Sequence, residues 1–222
     1  PTGTVQVQLE DGEPHYDILP DQAYDHTDAH ALPTDPGIDL IYHGTLGVRH
    51  PDAAAALASL KQRHPKAAIF LDINLRPPWW QADQLEQLLH DATWLKVNGN
   101  ELDHLVPEKK RAAMKGRDLL RRYNLQGIII TLGERGAAAI DHNSTWHSST
   151  LTEPVPVVDA VGAGDAFASV VIHGLMRGWP LDYHLLAKAQ ELALHIIGQR
   201  GATCDDRTVY DQLNTRWSPT RP

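Results

Sequence analysis

Cysteine is almost absent from this sequence, since Cys204 is the single one among 222 residues. One cysteine cannot form an intramolecular disulfide, and such a composition is typical of proteins kept in a reducing compartment. No apolar run reaches the roughly 20 residues that cross a bilayer, and the first residues lack the pattern of a signal peptide. From these absences we expect a cytoplasmic protein without a membrane partner.

Clusters of positive charge are also lacking. The formal net charge is −8 at pH 7, and the longest run of lysine and arginine has only three residues, Lys109-Lys110-Arg111, which argues against a nucleic-acid partner. A hydrophobic fraction of 42% and a charged fraction of 22% are those of a globular chain. The length suits one α/β domain, or one such domain with a small appendage.

Histidine, in contrast, is abundant, with 13 residues. The histidines near the start of the chain are irregularly spaced, and neither cysteines nor a His-Glu-x-x-His motif accompany them. This pattern favours structural or solvated histidines over a metal site. The residues concerned are His15, His26, His30, His43 and His50.

The apolar pattern predicts an α/β fold. From Ile38 onward, short apolar runs alternate with stretches of helical periodicity, which is typical of β-α units on a parallel sheet. Polar residues follow the ends of successive strands, where open α/β sheets bind ligands. The predicted strands are 39–42, 68–73, 94–97 and 128–132, and the predicted helices are 51–62, 81–91, 101–106, 111–123 and 181–198.

The two ends of the chain have a different character. Residues 5–9 alternate apolar and polar side chains, Asp11-Gly12 favours a turn, and Ile18 lies in a return strand, which predicts a β-hairpin. Beyond residue 202 the sequence is polar, and we expect residues 218–222 to be a frayed end.

The most informative stretch is 157–177. Apolar β-branched residues lead into Gly162-Ala163-Gly164, and apolar residues with helical spacing follow, so Asp165 is predicted in the first turn of a helix. The free N–H groups and the dipole of such a terminus attract anions, and glycine lets a phosphate approach the backbone. A carboxylate at this place suggests a base that accepts a proton from a hydroxyl attacking phosphorus.

Spacing alone leaves an alternative open, because an acidic residue in a first turn is also ordinary compensation of the helix dipole. Two other phosphate-binding motifs are excluded. A dinucleotide-binding loop needs a third glycine where Phe167 stands. The Gly-x-x-x-x-Gly-Lys-Ser/Thr motif of P-loop proteins does not occur in the sequence.

One run closely resembles the C-terminal signature of the ribokinase-like sugar kinases, also called the phosphofructokinase-B family: Asp159-Ala160-Val161-Gly162-Ala163-Gly164-Asp165-Ala166-Phe167. The family more often has Thr where this chain has Ala160. The resemblance implies a three-layer α/β/α fold with a mostly parallel central sheet and a small β lid. It implies Asp165 as the catalytic base, and the amides of Gly162, Ala163 and Gly164 as the anion hole for the transferred phosphoryl group.

Two further motifs follow the family order. Asn98-Gly99-Asn100-Glu101 resembles the Asn-x-x-Glu motif that organises Mg²⁺ and phosphate through water, whereas the residues alone also allow a helix cap. The segment from Thr131 to Ala137 could be a turn between strands. It also resembles the family's Thr-x-Gly-x-x-Gly segment, which implies that Thr131, Gly133 and Gly136 line the nucleotide.

The resemblance extends to the adenine side of the nucleotide and to a monovalent cation. Arg200-Gly201-Ala202 is similar to the family's loop beside the adenine, and Gln190 lies where relatives place a polar neighbour of the base. The family also implies a K⁺ ion held by backbone carbonyls near Asp159, Val161 and Gly201. Carbonyl ligands leave no side-chain pattern, so the sequence itself does not test this site.

Substrate-side residues are implied in the first half of the chain. Asp72-Ile73-Asn74-Leu75-Arg76 resembles the Asp-x-Asn-x-Arg segment of fructokinases and 2-keto-3-deoxygluconate kinases. Asn74 and Arg76 are therefore expected to contact the sugar, and an arginine that bridges two loops is the alternative. His43-Gly44-Thr45-Leu46 is also similar to fructokinases, and this similarity places Thr45 on the substrate side.

Taken together, the resemblance implies an ATP-dependent kinase that phosphorylates a ketohexose, most like fructokinase, with ATP, Mg²⁺ and K⁺ at the site. The alternatives are a kinase of the same fold for ribose, 2-keto-3-deoxygluconate or a nucleoside, and an inactive nucleotide-binding fragment. Residues 1–20 are expected to be lid strands that pair in a homodimer, and residues 21–222 the kinase domain. The first strands of the family domain are expected to be missing from this chain.

Overall fold

The computed structural model describes residues 2–10, 13–32, 37–151 and 156–217. The chain divides into two compact units, Pro1–Asp91 and Ala92–Pro222. The boundary lies inside the region predicted as one α/β domain. None of the helices in the described part of the chain combines the length and the apolar character that crossing a bilayer requires.

The first unit contains a hairpin and a β-α-β arrangement. Strands β1 (Val5–Glu10) and β2 (Glu13–Ile18) pair in antiparallel register, with Val5 opposite Ile18. Strands β3 (Leu40–Gly44) and β4 (Ala68–Asp72) pair in parallel, with Leu40 beside Ala68. Helix α1 (Pro51–Arg63) connects them, and helix α2 (Ala82–Asp91) follows β4. The hairpin and both predicted strands are therefore confirmed.

Helix α1 begins where the sequence indicates. Pro51 is the first helical residue, where its missing N–H costs nothing, and the His50 side chain accepts the N–H of Asp52. Lys61 and Arg63 lie in the last turn, where positive charge complements the helix dipole.

The second unit contains four strands and five helices in its described residues. Strands β5 (Trp94–Asn98) and β6 (Gly127–Thr131) are parallel, whereas β7 (Ala137–Asp141) and β8 (Trp146–Ser149) continue in antiparallel order. The helices are α3 (Gly99–Leu105), α4 (Ala112–Arg122), α5 (Ala163–Met176), α6 (Tyr183–Ile197) and α7 (Arg207–Trp217).

The core of the second unit is formed by its central strands. Ile128, Ile129 and Ile130 have no exposed surface, and the same holds for the residues from Ala138 to Ile140. Because successive residues of a strand point to opposite faces, complete burial of consecutive residues means that both faces are covered. Helix α4 contacts β6 and β7, and helix α6 contacts β7 and β8.

Three features differ from the sequence expectations. β7 and β8 were not predicted as strands, and they run antiparallel because the connection from Thr131 to Ala137 is too short for a crossover. Helix α3 begins at Gly99, two residues before the predicted start, because Asn98 caps it. Helix α7 lies in the polar tail beyond residue 202, for which the sequence predicts no helix. The Asp11-Gly12 turn and residues 218–222 lie outside the described residues.

Candidate active site

The N-terminus of α5 is held in place by glycine contacts with a second loop. Gly162 is the N-cap of α5, with φ +84, and the N–H of Ala166 donates to its carbonyl at 2.8 Å. A Cβ on Gly162 would overlap the carbonyl oxygen of Ala202 and lie 2.7 Å from its Cα. The loop before α5 therefore touches the backbone at Ala202, which only glycine permits.

Asp159 fastens the same two loops by hydrogen bonds. Its carboxylate accepts the N–H of Val161 at 3.0 Å and the N–H of Gly201 at 3.1 Å. These two bonds favour the charged form and lower the pKa of Asp159. The structure thus brings together Asp159, Val161 and Gly201, the residues near which a monovalent cation was predicted. The Asp159 side chain joins the two loops by these hydrogen bonds.

Asp165 lies in the first turn of α5, as predicted, and it is exposed. A side-chain atom added to the neighbouring Gly164 would lie 3.6 Å from the Nζ atom of Lys96. Lys96 projects from β5 and has only 6% of its surface exposed. A buried ammonium group therefore lies beside the helix terminus, where the free N–H groups already favour negative charge.

A cavity of about 820 Å³ opens at this terminus. One part of its lining is polar or formed by backbone, and another part is apolar, as in sites for ligands with a polar and an aromatic end. The polar part comprises Asn98, Gly99, Asn100, Thr131, Gly133, Glu134, Arg135, Gly136, Gly164 and Gln190, and the apolar part comprises Leu132, Leu151, Val157, Ala160, Ala163, Phe167, Ala193, Leu194 and Ile197.

Gly136 shapes the wall of this cavity. It has φ +89, and its carbonyl accepts the N–H of Leu132 at 2.9 Å, which closes a tight turn. A Cβ at this position would overlap the carbonyl oxygen of Ser149 and lie 2.7 Å from Nε2 of Gln190. Gly133 also has positive φ, +61, but a Cβ there would meet nothing within 4 Å. Gln190 itself is buried and donates to the Ser149 carbonyl at 3.2 Å.

Asn98 and Glu101 form a reciprocal cap at the start of α3. The Asn98 side chain accepts the N–H of Glu101 at 2.9 Å, and the Glu101 carboxylate accepts the N–H of Asn98 at 2.8 Å. Glu101 is buried, with 7% exposure, whereas Asn98 is exposed at the cavity. The cap that the residues allowed is therefore present, and the role of this pair in binding Mg²⁺ through water stays a prediction.

The predicted substrate-side residues belong to the first unit. The Thr45 hydroxyl is buried and donates to the Ile73 carbonyl at 2.6 Å, so it ties the end of β3 to the end of β4. Asn74 and Arg76 lie just beyond β4 and are exposed, and Asn74 has φ +39. Exposure leaves both of these side chains accessible to a ligand, whereas the Thr45 hydroxyl already has a protein partner.

Two charged residues of the second unit were not singled out from the sequence. Lys96 lies within the predicted strand 94–97, and a lysine inside such an apolar run is the kind of buried charge that has a partner. Arg135 lies at the cavity, and its Nη2 atom would be 3.9 Å from a Cβ on Gly99. The apolar wall from α6 carried no motif, because its residues share the pattern of any packed helix.

A family model for the pfkB family carbohydrate kinases matches residues 21–208. The chain belongs to this family. The predicted family resemblance is thereby confirmed.

Individual relatives are distant and longer. A fructokinase of Salmonella typhimurium is 28% identical over 151 residues, covering 64% of this chain and 48% of that protein. A 5-dehydro-2-deoxygluconokinase of Geobacillus thermodenitrificans is 25% identical over 189 residues, covering 78% of this chain and 55% of that protein. This pfkB-family chain thus spans about half the length of these curated relatives.

A solved structure confirms the ribokinase-like α/β fold. The crystal structure of aminoimidazole riboside kinase from Salmonella enterica, complexed with aminoimidazole riboside and an ATP analog, is similar with a TM-score of 0.73 and 26% identity. The match covers 92% of this chain and 71% of that chain.

Proposed function

We propose that this protein is an ATP-dependent sugar kinase that phosphorylates a ketohexose, with fructose to fructose 6-phosphate as the reaction. The observation that supports it most is the cavity at the N-terminus of α5, with Asp165 in the first turn of that helix. The family match supports the reaction type, and the fructokinase relative supports the sugar.

The cavity of the second unit would take the nucleotide. The apolar wall suits the adenine, and the backbone of Gly133 and Gly136 suits the ribose and phosphates, because no Cβ obstructs their approach. The amides of residues 162–164 at the start of α5 would hold the transferred phosphoryl group. Lys96, buried beside Gly164, would add positive charge at the same place.

Asp165 would act as the base. As the sugar hydroxyl oxygen forms its bond to the γ-phosphorus, the hydroxyl proton passes to the Asp165 carboxylate, and the bond from the γ-phosphorus to the bridging oxygen breaks to release ADP. The α5 amides stabilise the negative charge on the equatorial oxygens, and they need no reorganisation because the Gly162–Ala202 contact already fixes them. Asn74, Arg76 and Thr45 are the proposed sugar-side residues.

The oxygen donors at the start of α3 fit a magnesium ion bound through water. Glu101 is buried and bonded to Asn98, so it would hold an outer water and not the metal directly. Bound Mg²⁺ would neutralise phosphate charge. The Asp159 and Gly201 loops, which are joined in the structure, are the proposed K⁺ site.

Two other functions have specific support. Kinases for a ketodeoxy acid or a riboside would use the same nucleotide-side residues, and relatives with such names are among the matches. An inactive nucleotide-binding fragment is supported by the share of the relatives' length that the chain covers. A coupled assay of ADP release with fructose, ribose, aminoimidazole riboside and 2-keto-3-deoxygluconate, paired with the intact mass of the protein, separates these cases.

The decisive variant is Asp165→Asn. We expect kcat to fall by about 10²–10⁴-fold while the affinity for an ATP analogue changes little. Asp83→Asn is the matched control, because Asp83 is also an exposed acid in a first turn, that of α2. If both variants keep normal turnover, Asp165 only compensates the helix dipole and the mechanism is wrong.

Pairing of β1 and β2 with the hairpin of a second chain is the proposed dimer contact. In the described residues these strands form a sheet of their own, and two-stranded sheets are marginal in water. Light scattering after size exclusion should give twice the chain mass, and a monomer at micromolar concentration would contradict the proposal.

A further inference from the structure

Three potential metal ligands meet at the start of α1. The Asp52 Oδ2 atom lies 3.0 Å from Nδ1 of His26 and 3.6 Å from Nδ1 of His50. All three ligand atoms lie within 4.8 Å of one another. Two ligands of a tetrahedral Zn²⁺ ion at its usual bond lengths are about 3.3 Å apart, so the side chains are already near the spacing that the ion requires.

A fourth side chain completes the arrangement of His26. Its other ring nitrogen, Nε2, lies 2.5 Å from Oδ1 of Asp21. Metal-binding histidines usually donate their second ring N–H to a carboxylate, which fixes the tautomer and makes the ligand more basic. Asp21 is in this position, and the metal side of the ring then faces Asp52.

A proton is the competing occupant. The hydrogen bonds to Asp52 and Asp21 raise the pKa of His26, so an imidazolium that bridges the two carboxylates also explains their approach. In that explanation His50 accepts the N–H of Asp52 at 3.3 Å, lies 3.6 Å from the Asp52 carboxylate and packs edge-on against His26, with ring centroids 4.6 Å apart. The hydrogen bond of 3.3 Å from the Asp52 N–H is weak, so little stability is lost when Nδ1 of His50 binds a metal ion instead.

Charge and access are compatible with a cation. A positive ion at a helix N-terminus is disfavoured by the dipole, but the carboxylates of Asp52 and Asp21 supply two negative charges there. The side chains of His26, His50 and Asp52 are 44%, 34% and 56% exposed, so a hydrated ion can reach them. Two imidazoles and one carboxylate suit Zn²⁺ better than Mg²⁺ or Ca²⁺.

We propose that His26, His50 and Asp52 form a Zn²⁺ site, with Asp21 as the carboxylate that orients His26 and with water as the fourth ligand. The ion would join the segment around residues 21–26 to the first turn of α1. Because the unfolded chain does not hold these ligands together, bound Zn²⁺ would stabilise the first unit. The irregular spacing that argued against a metal site is explained by ligands that come from separate segments.

The test is a calorimetric titration of chelator-treated protein with ZnCl₂, read together with the visible spectrum after Co²⁺ substitution. We expect a single saturable equivalent, a Co²⁺ spectrum of low coordination number, and a higher Tm with Zn²⁺. His26→Gln, His50→Gln and Asp52→Asn should each abolish the saturable phase, and Asp21→Asn should weaken it about 10–100-fold.

His90→Gln is the matched control, because His90 is 58% exposed, lies 3.4 Å from Glu86 and does not belong to the group of three potential metal ligands found in the described residues. It should bind Zn²⁺ like the unmodified protein. Circular dichroism without metal shows whether each variant folds, and Asp21→Asn, at an 82% exposed side chain, is the variant least able to disturb folding. Absence of a saturable equivalent, or equal binding by His26→Gln and His90→Gln, would overturn the proposal.

Discussion

The two units of the chain position their polar groups by different means. In the second unit, backbone atoms and glycines shape the cavity wall and the neighbouring start of α5: Gly136 and Gly162 touch neighbouring backbone at positive φ, and Gly201 donates its N–H to Asp159. In the first unit, charged side chains bind one another. The Arg49 guanidinium holds the Asp25 carboxylate with two bonds of 2.8 Å, and His26 bridges Asp21 and Asp52.

This difference between backbone-built and side-chain-built sites determines which of them can be recognised from the sequence. A site built from backbone needs glycines at fixed short spacings, so it leaves a local motif such as Gly162-Ala163-Gly164. A side-chain network needs only that distant residues meet, and Asp25 and Arg49 are 24 residues apart. The family motifs therefore identify the second unit's cavity, and nothing comparable marks the network of the first unit.

Gly136→Ala is expected to have the largest effect, because it adds an atom against backbone. Strain at positive φ and overpacking each cost about 1–3 kcal/mol, so the unfolding free energy should fall by up to about 6 kcal/mol. Binding of a fluorescent ATP analogue should be lost with it. Urea unfolding and a binding titration measure both effects.

Gly133→Ala is the control for that change, since a Cβ there meets nothing within 4 Å. It should lower the unfolding free energy only by the cost of holding alanine in the left-handed conformation, about 1–2 kcal/mol. Equal losses in the two variants would mean that the positive φ, and not the contact of Gly136 with Ser149, sets the cavity wall.

Breaking the buried ion pair of the first unit is expected to have the second-largest effect on the unfolding free energy. Asp25 and Arg49 have side-chain exposures of 2% and 5%, and Arg49 also lies 4.3 Å from the ring centroid of Trp79. Asp25→Asn leaves the guanidinium uncompensated, which should lower the unfolding free energy by about 3–5 kcal/mol. The matched variant Asp91→Asn breaks the more exposed pair with Lys61 and should cost less than about 1 kcal/mol. Similar losses for the two variants would contradict the assignment.

Much of the fold was predictable because apolar periodicity reports burial directly. The strands β3 to β6 and the helices α1 to α6 follow from it within a few residues. β7 escaped prediction because its run Ala137-Ala138-Ala139-Ile140 consists mostly of alanines, which lack the β-branched side chains that indicate a strand. Helix α7 buries only Leu213 among its residues, so it has little apolar pattern to detect.

The candidate site was predictable to the extent that it is local. Thr131, Gly133, Gly136, Gln190 and Asn98 were all named from the sequence, and the structure places them around one cavity. Lys96 and Arg135 are brought to that region by the pairing of β5 with β6 and by the turn after β6, which no single segment encodes.

The stability of the first unit is expected to depend on pH because of the buried side chain of His43. Burial, with a smaller contribution from Lys61, lowers its pKa to about 4, so the folded unit keeps the ring neutral. Below the ordinary pKa of about 6.5 the unfolded chain binds more protons than the folded one, so stability decreases as the pH falls from about 6.5 to about 4. At about 1.4 kcal/mol per pKa unit, the loss reaches about 3 kcal/mol.

Urea unfolding at several pH values tests this assignment. His43→Gln should flatten the decrease between about pH 6.5 and 4, whereas the same change at the exposed His90 should leave it in place. A slope that persists in His43→Gln would assign the acid sensitivity to other groups.

The smallest expected effect on stability is that of substitutions at Asn98. They distinguish its role as a helix cap from its proposed role in binding Mg²⁺ through water. Asn98→Ala removes the acceptor of the Glu101 N–H and should cost about 1 kcal/mol, because the Glu101 carboxylate still accepts the N–H of residue 98. Asn98→Ser restores a cap but shortens the side chain at the cavity. If Asn98 only caps α3, Ser recovers both stability and the Mg²⁺ concentration for half-maximal turnover. We expect stability to recover while the Mg²⁺ requirement stays raised. A water-mediated contact with Mg²⁺ depends on how far the Asn98 amide reaches, whereas the shorter serine side chain is sufficient to cap the helix.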